Sequence, residues 1–401
     1  MLYDSNRHEP MLEIPWDERL VRDTVDEIVA DSVAAFDPAR FWPTHPREDG
    51  AGLQKGIWNG VAGAIWGLHY LHREAGTPML PGAADALDRI LTLSIAQDTS
   101  PYFKASFLMG PVGILLVKYR ISREPSDADR LFALIDAKVE AHTDELMWGT
   151  PGVVLAASFM WGLTREDRWR DLYISRAMEL WARWKFSADQ GCYVWYQRVY
   201  QSEPQVYLGP VHGFTGNLAA LLRGVDLFDE QMRRELYERA VNAIVKTACT
   251  EDDLANWLAL AVRFTPPGMA VPWLVQICHG APGVLGSLAD IPDKFDPRFE
   301  QLFLAGSELT WRAGPLSKGP NLCHGTAGNG YLLMKAWMRT RDRKWLRRAR
   351  SFAMYSIAQY KAQRQRYGQG WYTLWTGDIG TAIYLWHCSA GEGAFPTMDV
   401  F

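Results

Sequence analysis

A short glycine element, Gly-x-x-Gly, recurs seven times along the 401-residue chain, and each copy opens a run of small and apolar residues. Successive copies lie 50, 39, 64, 67, 45 and 52 residues apart, a spacing that fits helical hairpins with loops of variable length. Glycine lets the backbone turn and approach a neighbour closely where a helix begins. The pattern therefore predicts seven buried helices, which start at Gly60, Gly110, Gly149, Gly213, Gly280, Gly325 and Gly377.

Seven amphipathic segments alternate with these apolar runs, and each has charged and apolar residues at helical spacing. They cover 17–36, 82–97, 126–139, 164–185, 229–248, 296–313 and 340–360. Thr164 is expected to cap the fourth segment. A ring of buried helices inside a ring of half-exposed helices satisfies both patterns. We therefore predict an all-α fold, an α/α toroid (barrel) with seven inner and seven outer helices, in which residues 1–401 form a single domain.

In such a toroid the seven glycine elements lie at the same end, because every inner helix starts there. Helix N-termini carry partial positive charge and free N–H groups, which favour a thiolate or another anion. Residues that precede different glycine elements then meet although they are far apart in the sequence. In three elements these residues are potential metal ligands: Cys278 and His279, Cys323 and His324, and His212.

Two Cys-His pairs at matching positions of a repeat indicate a metal site. Thiolate and imidazole donors favour zinc over magnesium or calcium, and three such donors with an open fourth position are typical of catalytic zinc. The alternative is that Cys278 and Cys323 are ordinary buried thiols beside core histidines that have their hydrogen bonds satisfied. The matched positions favour the metal.

Charge and hydropathy exclude several classes of protein. The net charge of −4 and the pI of about 6.2 lack the basic footprint of a nucleic-acid-binding protein. The sequence has no run of about 18 apolar residues that predicts a transmembrane segment, and residues 1–20 lack the pattern of a secretory signal. Five cysteines in such a chain favour reduced thiols over disulfides. We therefore expect a cytoplasmic protein.

At its glycine elements the sequence resembles the lanthionine synthetase C-like (LanC-like) proteins, and the resemblance covers nearly the whole chain. Its strongest segments are QICHGAPG (276–283) and NLCHGTAGNG (321–330). Further segments are SFLMGPVG (106–113), ELMWGTPG (145–152), VWYQRVY (194–200), GPVHGFTG (209–216), LSKGPNLCHG (316–325) and AFPTMDVF (394–401). These look closer to the stand-alone eukaryotic-type members than to the lantibiotic cyclases. The family's seven-fold α/α toroid with a central zinc ion agrees with the repeat.

The resemblance also implies roles for individual residues. It places the Zn²⁺ ligands at Cys278, Cys323 and His324, and an acid/base histidine at His212. Cyclases of the family have an aspartate four residues before the third glycine element, where this chain has Glu145 beside Asp144. Either carboxylate is thus a catalytic candidate, with a helix cap or a salt bridge as the alternative. Four further residues are candidates for binding substrate: Lys318, Arg366, His279 and Arg7.

Lys318 and Arg366 match basic positions that help to bind glutathione or phosphorylated substrate in eukaryotic-type members, and Arg7 matches such a position more weakly. Both of the stronger matches are also compatible with ordinary solvated surface charges. His279 follows the first ligand without being a family ligand, so it either lines the pocket or packs in the core. Ile277 replaces the tryptophan that often precedes the first ligand.

The reaction implied by the resemblance is conjugate addition of a thiol to dehydroalanine or dehydrobutyrine in a peptide or protein, with glutathione as the expected donor. One alternative is a lanthionine-forming cyclase that uses a cysteine of the same peptide. Another is a non-catalytic glutathione- or peptide-binding protein with structural zinc. A toroid glycosidase needs a pair of carboxylates, which is not found at repeat-equivalent positions. A prenyltransferase-like zinc site usually includes a carboxylate ligand, so the Cys-Cys-His pattern fits it poorly.

Overall fold

The computed structural model describes residues 1–12, 14–48, 50, 52–98, 100–104, 106–137, 143–198, 203–261 and 272–401. Within them, a helix begins one residue after the first glycine of every glycine element. These inner helices are buried along nearly their whole length because their residues are small and apolar. They are α2 (Val61–Ala75), α5 (Pro111–Ser122), α7 (Thr150–Thr164), α9 (Phe214–Leu222), α11 (Ala281–Gly286), α13 (Thr326–Thr340) and α15 (Asp378–Ala390).

Seven amphipathic helices surround the inner ones, and each buries one stripe of apolar residues while its charged residues face outward. They are α1 (Glu18–Ala34), α3 (Ala83–Gln97), α6 (Pro125–Asp136), α8 (Asp167–Ala182), α10 (Glu230–Thr247), α12 (Pro297–Ala313) and α14 (Arg343–Tyr367). A four-residue helix, α4 (Pro101–Lys104), precedes α5, and 3-10 turns occupy Ser5–Arg7 and Val225–Leu227. The predicted α/α toroid with seven inner and seven outer helices is therefore confirmed.

The inner helices form a ring, in which the loop before α9 approaches the start of α11 through Pro210 and Gly283. Helix α2 packs against α5, α5 against α7, and α7 against α9, while α11 packs against α13 and α13 against α15. Helix α15 in turn packs against α2, which joins the last repeat to the first. Because removing either end of the chain opens this ring, we propose that residues 1–401 act as a single domain.

Backbone hydrogen bonds link the loops that precede the inner helices. The N–H of Cys323 donates to the carbonyl of Trp375 (2.9 Å), the N–H of Trp375 donates to the carbonyl of Trp58 (2.9 Å), and the N–H of Trp58 donates to the carbonyl of Leu108 (3.0 Å). Side chains carried by different repeats are therefore held at one end of the toroid by main-chain contacts.

The second glycine of each element lies where no side chain fits. A Cβ atom on Gly283 would lie 1.8 Å from the Ile277 carbonyl oxygen and 2.7 Å from Cδ of Pro210 in the preceding repeat. The corresponding glycines of the other elements make the same close contact with the carbonyl six residues earlier: Gly63, Gly113, Gly152, Gly216, Gly328 and Gly380. Glycine is therefore required by the approach of each helix to its own loop.

In α2, α9, α13 and α15 the first-turn amides are not free, contrary to the expectation from the sequence. They donate to carbonyl oxygens seven residues earlier in the same loop, which satisfies groups that a helix end otherwise leaves open. Examples are Phe214 to Tyr207 (2.9 Å), Thr326 to Gly319 (2.9 Å) and Asp378 to Trp371 (2.7 Å). In these repeats, binding of an anion therefore depends on side chains.

Several predicted helix boundaries were wrong. Thr164 does not cap an outer helix: it is the last residue of α7, and its hydroxyl donates to the Met160 carbonyl (2.9 Å). Thr340 likewise ends α13, and Asp342 caps α14, which continues to Tyr367 instead of ending at residue 360. The end of the predicted helix 126–139 and part of the segment 194–200 lie outside the described residues.

Two short antiparallel hairpins were not predicted from the sequence. Strands β1 (Lys185–Ser187) and β2 (Cys192–Val194) pair between α8 and α9, and strands β3 (Cys249–Glu251) and β4 (Leu254–Asn256) pair between α10 and α11. Three-residue strands are too short to show an alternating pattern in the sequence. No described helix has the length and apolar character that a bilayer crossing demands.

Candidate metal centre

Three of the predicted site residues meet in the loops before α11 and α13. The ligand atoms of Cys278, Cys323 and His324 all lie within 4.8 Å of one another. The two Sγ atoms are 2.8 Å apart, and Cys323 Sγ is 3.5 Å from His324 Nε2. Both thiols are buried, with at most 4% of each cysteine exposed. Three donors at these separations can reach one ion with bonds of about 2.0–2.3 Å, so this group can hold a metal.

The two thiols ionise unequally. The hydrogen bond with Cys323 and burial raise the pKa of Cys278 well above its usual range. Burial also opposes ionisation of Cys323, but its hydrogen bond with Cys278 and the nearby His324 ring outweigh burial and lower the pKa of Cys323 well below its usual range. Two sulfur atoms 2.8 Å apart need a proton or a cation between them. This donor chemistry fits a soft divalent cation such as zinc.

His212 lies in the turn just before α9 and is hydrogen-bonded to Glu145. Its Nδ1 atom is 2.8 Å from Oε2 of Glu145, a residue that comes 67 positions earlier in the loop before α7. The Glu145 side chain is fully buried and also accepts the backbone N–H groups of Met147 (3.3 Å) and Trp148. Burial raises the pKa of Glu145, and the hydrogen bond with His212 opposes that increase. The contact fixes the imidazole and turns Nε2 away from the carboxylate.

Asp144, the other candidate carboxylate, faces a different partner. Its two oxygen atoms accept hydrogen bonds from Nε of Arg183 at 3.0 and 2.9 Å. Arg183 also donates to the hydroxyl of Thr150, the first residue of α7 (2.8 Å). Burial raises the pKa of Asp144, and Arg183 opposes the increase. Asp144 is thus tied to an arginine, and Glu145 is the carboxylate that contacts the histidine.

His279 lies beside the ligands as a neutral ring. Burial, and next the positive charges of His212 and His324, lower the pKa of His279 to about 3. Its buried Nδ1 atom has no hydrogen-bond partner within the described part of the chain. The ring of Tyr207 lies 6.3 Å from the His279 ring and 6.4 Å from the His212 ring, measured between centroids. His279 therefore lines the space between the metal-ligand group (Cys278, Cys323 and His324) and the His212–Glu145 pair.

The predicted basic residues divide into two groups. Cys323 raises the pKa of His324. Burial and the nearby positive charges of Lys318 and Arg7 oppose that rise. Arg366 lies instead on α14, where it lines a separate cavity of about 510 Å³. Arg47 lines the same cavity and donates to the Lys318 carbonyl (2.7 Å). The structure thus places Arg366 beside the Lys318 loop and not among the metal-ligand group.

Two residues near the site, Trp58 and Tyr207, were missed from the sequence, as was Arg47 beside the Lys318 loop. Trp58 helps to lower the pKa of Cys323. It stands two residues before Gly60, the position that Cys278 and Cys323 occupy in their own repeats, so aligning the seven elements would have found it. Tyr207 and Arg47 have no such signal, because neither occupies a ligand-equivalent position.

Comparison with known proteins identifies related sequences and a related fold. Residues 53–400 match the model of the family described as lanthionine synthetase C-like protein. The chain is 28% identical over 347 residues to a protein from Danio rerio named glutathione S-transferase LANCL1, which covers 82% of this chain and 80% of the relative. Among solved structures, nisin cyclase superposes with a TM-score of 0.61 at 14% identity, covering 94% of this chain and 98% of the other.

Proposed function

The chain belongs to the lanthionine synthetase C-like family, and on that premise we propose that it is a zinc-dependent enzyme that forms thioethers. It joins a thiol to a dehydroalanine or dehydrobutyrine residue in a peptide or protein. One observation carries the proposal: the Cys278–Cys323–His324 donor group lies in the same ring of loops as the His212–Glu145 pair. A site that holds both parts can ionise a thiol and move a proton.

Cys278, Cys323 and His324 hold the zinc ion in this proposal. When bound, zinc supplies a positive charge that lowers the pKa of a substrate thiol, which otherwise stays mostly protonated at neutral pH. Three such protein donors are typical of catalytic zinc. Burial of both cysteines keeps water away from the sulfur donors.

His212 moves the proton. Its Nδ1–H group donates to Glu145, so that Nε2 accepts the proton released by the thiol. The sulfur then forms a bond to the β-carbon of the acceptor, and His212 returns the proton to the α-carbon. Glu145 keeps the imidazole in the required tautomer, as a buried carboxylate does for other catalytic histidines. Asp144 supports the loop through Arg183 and does not handle the proton.

Glutathione is the proposed thiol donor. The name of the Danio rerio relative supports this choice, and so does the positive charge of Arg7 and Lys318 near His324. The two carboxylates of glutathione are suitable partners for these cations, with Arg366 as a further partner beside the Lys318 loop. His279 packs against the bound acceptor. The proposed location is the cytoplasm, where free cysteines stay reduced.

The test is a reaction of the zinc-loaded protein with glutathione and a peptide that contains one dehydroalanine. We expect mass spectrometry to show the glutathione adduct with wild type and its loss with His212→Asn, which keeps the metal ligands. If wild type closes a ring in a peptide that carries both cysteine and dehydroalanine, yet ignores glutathione, the protein is a cyclase. If neither substrate reacts with zinc-replete protein, the enzymatic proposal is wrong and a binding protein remains.

A further inference from the structure

Tyr207 lies between the two halves of the proposed site. Its backbone is fixed, because its carbonyl accepts the N–H of Phe214 (2.9 Å) and its N–H donates to the buried side chain of Gln197 (2.9 Å). The phenol ring is half-buried, and in the described structure its hydroxyl has no hydrogen-bond partner. A phenol held firmly by its main chain with an unused hydroxyl is available to a ligand.

The segment that carries Tyr207 also packs on the loop of Cys278. A Cβ atom on Gly209 would lie 1.9 Å from the Cys278 carbonyl oxygen and 3.3 Å from Nδ1 of His279. The Tyr207 ring is 6.4 Å from His212 and 6.3 Å from His279 between ring centroids. Tyr207 therefore borders both the metal-ligand loop and the histidine that moves the proton.

Conjugate addition creates a charge that the residues assigned so far do not stabilise. As the sulfur bonds to the β-carbon, the C=C π electrons form a new double bond between the α-carbon and the carbonyl carbon, and the C=O π electrons move onto the carbonyl oxygen. The C=O bond then re-forms as the α-carbon takes the proton from His212. His212 is committed to that proton, and Glu145 is an acceptor, so another group has to donate to the oxygen while it is negative.

We infer that the Tyr207 hydroxyl donates a hydrogen bond to the carbonyl oxygen of the acceptor and stabilises the enolate. This role rests on the proposed function. Tyr207 keeps its proton throughout, so the balance of the reaction is unchanged. Burial raises the pKa of Tyr207, which keeps the hydroxyl protonated at neutral pH. Loss of one preorganised donor to a developing oxyanion typically lowers kcat by about 10²–10³-fold.

The test compares Tyr207→Phe with wild type in the glutathione reaction, using zinc content and steady-state kinetics. We expect kcat to fall about 100-fold, with zinc content, KM for glutathione and affinity for a saturated alanine peptide all unchanged. The saturated peptide is measured by calorimetry, because its carbonyl gains no charge. Tyr237→Phe is the matched control: Tyr237 is also partly buried, packs on Phe295 and lies on the outer helix α10.

Unchanged kcat in Tyr207→Phe, beside an active wild type, overturns the inference and leaves the proposed function standing. A loss of zinc or a raised KM for glutathione in that variant assigns Tyr207 a structural role and also overturns it. Absence of any thioether with wild type contradicts the proposed function, and this inference with it.

Discussion

The inner helices are terminated by different residues at their two ends. At the N-terminal end every inner helix is preceded by glycine, and none of these glycines supplies a side-chain cap. At the C-terminal end, α5, α7 and α13 are each followed by an arginine in the left-handed conformation, at φ of 57–59°. Those residues are Arg123, Arg165 and Arg341.

Each of these arginines repeats one arrangement. Its N–H donates to the carbonyl of an aromatic residue four positions earlier, and its guanidinium lies over the ring of that same residue. For Arg165 and Trp161 the hydrogen bond is 3.0 Å and the guanidinium carbon is 5.4 Å from the ring centroid. The positive charge also suits the negative end of the helix.

This comparison places the proposed chemistry at the N-terminal end of the inner helices and the arginine caps at the C-terminal end. At the N-terminal end of α2, α9, α13 and α15 the loop main chain satisfies the first-turn amides, so the side chains just before these glycines are free to differ between repeats. In the proposed function they are metal ligands in two repeats and an acid/base histidine in a third. At the C-terminal end of α5, α7 and α13 the arginine side chain already lies over a ring of its own helix, so it has little freedom for another function. Four predictions test this division, from the largest expected effect to the smallest.

Adding a methyl group to a second glycine should disrupt the N-terminal end. Gly283→Ala places a Cβ atom 1.8 Å from a main-chain oxygen that cannot move aside. We expect a loss of about 3 kcal/mol or more in unfolding free energy, measured by urea denaturation. Gly286→Ala lies in the same helix with no atom within 4 Å of its added methyl group, so it should be neutral or gain up to about 1 kcal/mol. Equal effects would contradict the close-approach argument.

Neighbouring carboxylates should differ in their effect on the proposed reaction. Glu145→Gln removes the charge that holds the His212 tautomer, so kcat should fall by about 100-fold while zinc content stays unchanged. Asp144→Asn keeps the size of a buried side chain and only weakens its contact with Arg183, so kcat should stay close to wild type. The reverse order of the two effects on kcat would assign the catalytic role to Asp144.

A buried acid in the first turn of α15 makes stability depend on pH. Burial raises the pKa of Asp378 to about 7, although the Trp371 N–H group donates to it (2.7 Å). An acid with a raised folded pKa contributes stability that is complete below about pH 4 and is lost as pH rises through 7. Asp378→Asn should therefore stabilise the protein by up to a few kcal/mol at pH 8, and by much less at pH 4.

The control for this change is Asp342→Asn at the exposed start of α14, where the side chain caps the Lys344 N–H (2.9 Å). Asparagine caps helices as well as aspartate does, so the pH profile of unfolding for Asp342→Asn should be parallel to that of wild type. If Asp378→Asn also gives a parallel profile, the Asp378 carboxyl does not titrate near neutral pH.

The arginine caps should tolerate glycine. Arg165→Gly relieves the strain of a non-glycine residue in the left-handed backbone conformation, worth about 1 kcal/mol, and loses a cation–π contact of similar size. The unfolding free energy should therefore change by no more than about 0.5 kcal/mol, and the activity should not change. A loss of unfolding free energy above about 2 kcal/mol, measured by urea denaturation, would show that Arg165 stabilises the fold by more than capping a helix.

Much of the fold is predictable because its signals are local. The Gly-x-x-Gly element, which lets each inner helix approach its own loop closely, marks the start of that helix to within one residue. The periodicity of charged residues marks the outer helices. The boundaries near Thr164 and Thr340 were wrong because polar residues continue across the turn between an inner and an outer helix. The two hairpins were missed because strands of three residues carry no periodic pattern.

The site was predictable to the extent that it repeats. Cys278 and Cys323 occupy equivalent positions, so the ring geometry brings them together, whereas the assignment of His212 depended on resemblance. The choice between Glu145 and Asp144 was open, because contacts between residues 67 positions apart have no trace in a single sequence. Arg366 matched a basic position by sequence spacing, yet it lines a neighbouring cavity together with Arg47.

The most direct test of the central claim is the zinc content of the purified protein, measured by mass spectrometry of the metal. Wild type should hold about one zinc ion per chain, and Cys323→Ala should hold almost none while keeping its helical circular dichroism. Cys249→Ala removes a half-buried thiol of strand β3 that is not part of the donor group, and it should match wild type. One zinc ion per chain in Cys323→Ala would contradict the account.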